Sequence, residues 1–185
     1  MTMFCYQCEQ TAQGTGCTAF GVCGKDPQTA ALQDLLVHAA KGVAMYAHRA
    51  RALGAVDRQV DLFVTEALFT TVTNVNFDPQ RLVGLIVRAA EVRDRAKSLY
   101  EAACAKAGRK PEDLTGPAQF APAAGLDALV RQGQAVGIAA SLDARGADLT
   151  GLEQLLTYGL KGTAAYADHA AILGVADDDV YGFFH

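Results

Sequence analysis

Four of the five cysteines lie within nineteen residues, spaced Cys5-x2-Cys8-x8-Cys17-x5-Cys23, with Gly14, Gly16, Gly21 and Gly24 interleaved. Such crowding leaves little room for regular structure and calls for a loop that folds around whatever the sulfurs bind. Thiolates are soft donors that suit iron–sulfur clusters and zinc alike, so the spacing has to separate them. A structural zinc site usually presents two short Cys-x-x-Cys knuckles. Here only Cys5 and Cys8 form one, and the other two cysteines stand singly on glycine-rich arms. That arrangement suits a bulky cubane cluster, because glycine lets the backbone approach and its N–H groups can bond to cluster sulfurs. The residues favour iron–sulfur chemistry at Cys5, Cys8, Cys17 and Cys23, with zinc as the alternative and a redox disulfide pair behind both.

The rest of the chain bounds the setting. At 185 residues it can bury a core without disulfide staples. A net charge of −4 with no clustered Lys/Arg surface argues against nucleic acid as a partner. Residues 1–5, Met-Thr-Met-Phe-Cys, carry no basic stretch ahead of an apolar run, and the apolar run 83–90 is broken by Gly84 and Arg88. The expectation is no secretory signal, no membrane span and a reducing cytoplasmic setting.

Beyond the cysteines the pattern is helical. Asp26-Pro27 reads as an N-cap followed by a first-turn proline, and Leu32, Leu36, Ala39, Val43, Tyr46, Ala50 and Leu53 recur in steps of four and three before Gly54. A second helix starts at Asp57 and places Val60, Phe63, Val64, Ala67 and Leu68 on one side. Asp78-Pro79 opens a third, which ends near Gly108. Pro111, Pro117 and Pro122 make the next segment a linker. A short helix over 126–134 and an irregular stretch through Gly146 then lead to Asp148 as the cap of another helix.

That last helix repeats the first. At a shift of 120 residues, Leu152, Leu155, Leu156, Lys161, Gly162, Tyr166, Leu173, Gly174 and Asp177 match Leu32, Leu35, Leu36, Lys41, Gly42, Tyr46, Leu53, Gly54 and Asp57. Mid-helix glycine costs about 1 kcal/mol relative to alanine, so a close helix–helix contact is expected at both Gly42 and Gly162. The second copy reaches His185 soon after Phe183, the match of Phe63, so the expectation is a segment of a longer protein. The fold class is all-α: a cysteine-rich loop (1–26), a first three-helix bundle (27–108), a linker with a short helix (109–147) and the start of a repeated bundle (148–185).

Other chemistry-bearing residues read blandly. Cys104, flanked by Ala102, Ala103 and Ala105, reads as a packed thiol. His38, His48, His169 and His185 show no ligand spacing, and Asp34, Glu66 and Glu91 read as solvated charges on helix faces. No nucleotide-binding loop is present.

The run Phe4-Cys5-Tyr6-Gln7-Cys8-Glu9-Gln10-Thr11, followed by Gly16-Cys17-Thr18 and Gly21-Val22-Cys23-Gly24-Lys25, resembles the opening of the hybrid cluster protein family, known as hydroxylamine reductases. The likeness continues through residues 32–36, 42–46, Thr73-Asn74-Val75-Asn76 and 160–167. It implies a helical N-terminal domain of paired three-helix bundles and a cubane in Cys5, Cys8, Cys17 and Cys23, the short third spacing resembling the 4Fe-4S branch. It implies also that a second, hybrid iron–sulfur–oxygen cluster, held by His, Glu and Cys further along the full-length protein, carries the reaction, so that no catalytic residue lies in this segment. The implied partners are an external electron donor, a reductase or ferredoxin-like protein, and a small nitrogen-oxide substrate. The competing functions are a zinc-stapled helical interaction module and a free-standing iron–sulfur carrier.

Overall fold

The computed structural model describes residues 2–185. The first three helices begin where the sequence places a cap. Asp26 accepts the Thr29 N–H at 2.7 Å and opens α1 (Pro27–Ala52). Asp57 accepts the Gln59 N–H at 2.9 Å and opens α2 (Arg58–Thr70), and Asp78 does the same for α3 (Pro79–Lys106) through Gln80 and Arg81. A carboxylate there satisfies N–H groups that have no partner within the helix.

The core is built around α1. Leu32, Leu35, Leu36 and Val43 are fully enclosed, against Phe63 and Val64 from α2 and Leu82 and Ile86 from α3. Burial of each such side chain contributes about 1.5–3 kcal/mol. After the linker, with its single 3-10 turn (Gly116–Gln119), α4 (Leu126–Val136) adds Leu129 and Val130 to the same core. The stretch expected to be irregular contains another helix, α5 (Ile138–Arg145). Gly137 breaks the chain from α4, but its backbone is extended rather than disordered, and helical φ/ψ resumes at once.

The long helix α6 (Ala147–Ile172) starts one residue before the expected cap: Gly146, with φ +82°, occupies the cap position and Asp148 lies in the first turn. A short α7 (Asp178–Phe183) follows, capped by Asp177. The repeat is exact in register, since α1 and α6 begin and end 120 residues apart, Gly54 and Gly174 share φ values of +78° and +75°, and Asp57 and Asp177 cap the following helices. Packing differs between the copies. α1 is wrapped by α2, α3 and α4, whereas α6 leans on α2 and α5. Leu152, Leu155 and Leu156 are therefore 67 %, 70 % and 61 % exposed where Leu32, Leu35 and Leu36 are enclosed.

The two repeat glycines also part company. A Cβ at Gly42 would stand 2.1 Å from the Pro117 carbonyl oxygen, so the close approach is to the linker turn rather than to a helix, and at Gly162 nothing lies within 4 Å. The helix–helix contact does exist, at Gly133 of α4, where a Cβ would stand 2.1 Å from the Ala31 carbonyl oxygen of α1. Gly42→Ala is expected to lower stability by about 1–3 kcal/mol through overpacking, and Gly162→Ala to raise it by up to about 1 kcal/mol. Thermal unfolding of the two variants side by side checks this, and equal effects would refute the assignment.

Candidate metal centre

Residues 2–25 contain no helix beyond one 3-10 turn, Ala12–Gly14. Their shape comes from an isolated antiparallel bridge in which Cys5 N–H donates to Cys17 O at 3.1 Å and Cys17 N–H to Cys5 O at 2.8 Å. Met3 N–H donates to Thr18 O at 3.0 Å and extends the pairing. The first and third cysteines are thereby held side by side. Gly16 makes this possible: its φ is +152°, and a Cβ there would meet the Phe4 ring at 2.7 Å.

Cys8 sits on the turn that Thr11 N–H closes onto Cys8 O at 3.2 Å. Cys23 sits on another, where Gly24 N–H donates to Gly21 O at 2.9 Å and Gly21 N–H to Lys25 O at 2.8 Å. Cys5, Cys8 and Cys23 are half-buried and Cys17 is buried. Among the described residues no three His, Cys, Asp or Glu side chains gather closely enough to hold one metal ion. Cys104 stands apart in the core around α1 and α3, the packed thiol expected of it.

The donor chemistry around Cys17 fits a cluster. Ala12 N–H donates to its Sγ at 3.4 Å and the Thr11 hydroxyl lies 3.7 Å away. The Ala12 and Val22 N–H groups hold the Cys17 thiol below its ordinary range, against the opposing effect of burial, with Thr11 and the Lys25 charge adding to them. The pocket therefore favours the thiolate, the form that binds iron.

Beneath the loop lies a polar cavity of about 50 Å³ between α1 and α6, lined by Cys5, Gln7, Lys25, Asp34, Tyr158 and Lys161 among others. Asp34 is no solvated surface charge: it is half-buried against this cavity, where desolvation pushes its carboxyl up to about 6 despite the neighbouring Lys161, Lys25 and Lys41. Desolvation likewise pulls the Lys161 ammonium down to about 8, with Asp34 opposing it. At neutral pH both remain charged in the main. The Tyr158 hydroxyl is buried without a partner, and burial pushes its pKa far up. Glu66, by contrast with Asp34, bridges Arg81 and Arg88 across α2 and α3 at 2.9 and 2.7 Å, and Glu91 is exposed as expected.

Among the described residues no histidine joins the cysteines: His38 and His169 meet the edges of Phe120 and Phe69, His48 is exposed, and His185 Nε2 lies 2.7 Å from Oδ1 of the buried Asp61. Sequence reasoning missed Gln7, Tyr158 and Lys161 as parts of the site. Only the paired Lys41 and Lys161 of the repeat carried a signal, since a lysine kept at a position facing the interior needs a partner there.

Residues 3–185 match the model of a family described as the Prismane/CO dehydrogenase family. The chain belongs to that family. Its curated relatives include the hydroxylamine reductase of Rhodospirillum rubrum, 55 % identical over 183 residues that cover 99 % of this chain and 33 % of that protein. The hydroxylamine reductase of Geobacter sulfurreducens is 51 % identical over 187 residues, covering 100 % of this chain and 34 % of that protein. That of Acidithiobacillus ferrooxidans is 52 % identical over 182 residues, covering 96 % and 33 %. The chain thus spans about a third of the length of these family members, and it matches the hybrid cluster proteins anticipated from its opening motif.

Thr11 is the side chain that ties Cys5 to Cys17, through its hydroxyl bond to Cys5 O at 3.0 Å. Thr11→Val is expected to cost about 1 kcal/mol in urea unfolding, and it removes one of the groups that favour the Cys17 thiolate. No change in the unfolding midpoint would show that the hydroxyl does not fasten the loop.

Proposed function

We propose that Cys5, Cys8, Cys17 and Cys23 hold a 4Fe-4S cluster, and that this chain is the electron-transfer part of a longer hydroxylamine-reducing oxidoreductase. The observation that carries the reading is the buried Cys17 sulfur with N–H donors aimed at it, inside a four-cysteine loop of a chain 55 % identical to a hydroxylamine reductase. Residues 1–26 form the binding segment, 27–108 and 148–185 the two repeat units, and 109–147 the connection between them.

In this reading the protein's own groups do three things. Cys17 is favoured as a thiolate by Ala12 and Val22, Gly21 brings backbone close to the Cys23 sulfur, and Gly16 leaves room for the Phe4 ring, which packs in a row with Tyr6 and Tyr158. Hydroxylamine reduction to ammonia and water consumes two electrons and two protons, and a cluster held by these four cysteines would supply one-electron chemistry toward it. The donor is an external reductase or ferredoxin-like protein in the cytoplasm. The bond-breaking step, with hydroxylamine or nitric oxide as substrate, belongs to a hybrid iron–sulfur–oxygen cluster in the full-length protein, so no catalytic residue is assigned here. Among the described residues no helix is long and apolar enough to cross a membrane.

Protein purified anaerobically from iron-replete cells is expected to be brown, oxygen-sensitive and loaded at this site with about four irons per chain. Cys17→Ser is expected to remove most of that absorption. A colourless product carrying one zinc per chain, unfolded locally by chelation without any redox signal, would replace this reading with a zinc-stapled interaction module.

A further inference from the structure

Lys41 and Lys161 occupy the same position in the two repeat copies, yet they serve different ends. Lys41 pairs with Glu153 and keeps 40 % of its side chain exposed. Lys161 is buried, 7 % exposed, and its Nζ donates to Gln7 Oε1 at 2.7 Å and to Thr71 O at 3.2 Å. Gln7 stands between Cys5 and Cys8. Its amide nitrogen donates in turn to Thr73 Oγ1 at 2.8 Å and Thr71 O at 3.3 Å. Both ends of the amide are therefore committed, and the Cys5–Cys8 knuckle is fastened to α6 and to the segment after α2 through a single side chain.

The charge balance around this contact is uneven. Lys161 is faced by Asp34 and by the cationic Lys25 and Lys41, with the Cys5 sulfur the other group that favours its charged form. Glu153 does not redress the balance, because it is engaged by Lys41 and Arg145 together. Burying an ammonium is costly unless it is compensated. The interior between α1 and α6 thus carries more positive than negative charge, directly below the four-cysteine loop.

We propose that Lys161 is a positioning and charge-compensating residue of the cysteine site: it locks the Cys5–Cys8 knuckle through Gln7 and supplies a buried positive charge that raises the reduction potential of the cluster. The inference rests on the iron–sulfur reading of the four cysteines. Its physical basis is that each electron entering the site adds negative charge. A nearby cation in a poorly screened interior favours that reduced form. Exposed lysines, screened by water and salt, would do so far less.

The test is an EPR-monitored redox titration of the anaerobically purified protein, with iron content measured on each sample. Lys161→Met and Lys161→Gln remove the charge, and Lys161→Arg retains it. The expected result is a midpoint potential lowered in both neutral variants and kept close to the parent in Lys161→Arg. Gln7→Met, which breaks the bond but leaves the ammonium, is expected to shift the potential less than Lys161→Met does. If the neutral variants fail to hold iron while Lys161→Arg holds it, charge compensation is again supported. Neutral variants that load fully with unchanged potential would overturn the proposal, as would loss of the cluster in all three Lys161 variants alike, which would mark a role of shape only. A parent protein without any cluster would instead remove the iron–sulfur reading beneath it.

Discussion

A loop with almost no regular structure keeps its shape here because two backbone hydrogen bonds join Cys5 to Cys17. Everything at the site depends on that pairing. It sets the first and third cysteines on paired backbone segments, and the Ala12 N–H donates to the Cys17 sulfur. It also leaves Gln7 at the bottom of the knuckle, where Lys161 reaches it. Backbone pairs this isolated contribute little on their own, about 0.5–1.5 kcal/mol each, so the loop relies on the helical body below it. Met3, Cys17 and Ala30 form a small apolar cluster that seats the loop on the first turns of α1.

The helical body is a duplication put to unequal use. The first copy builds the core, with α1 enclosed by α2, α3 and α4. The second contributes Ala164 and Ala167 to the same core and turns Gln154, Tyr158 and Lys161 toward the cavity. Residues at matching positions thus diverge: His38 against Tyr158, Asp34 against Gln154, a half-buried ion pair at Lys41 against a buried ammonium at Lys161. The apolar face of α6 that mirrors the enclosed leucines of α1 stays open among the described residues.

Local signals made the helices legible in the sequence. Asp26-Pro27, Asp57 and Asp78-Pro79 mark helix starts because a carboxylate and a missing N–H solve a problem confined to one turn, and the 120-residue repeat marks α6 and α7 as counterparts of α1 and α2. Two local readings failed for physical reasons. Gly137 interrupts the chain without ending helicity, so α5 was hidden, and Gly146 took the cap position that Asp148 suggested. What lay beyond reach was tertiary. Gly42 meets a carbonyl from the linker, and the Asp34 carboxyl faces a cavity rather than water. Neither fact is written in the residues that flank them. The four cysteines could be read as one motif, and the structure holds Cys5 and Cys17 side by side, whereas the polar cavity beneath them, drawn from residues more than a hundred positions apart, was not legible.

The proposed role of this segment depends on whether four sulfur donors enclose one multi-iron cluster. Anomalous diffraction at the iron edge, from crystals of the anaerobically purified protein, tests it most directly. The expected result is a compact iron peak bounded by the sulfurs of Cys5, Cys8, Cys17 and Cys23 and lying above Gln7 and Lys161. A signal at these four sulfurs found only at the zinc edge, or no iron bounded by them, would contradict it.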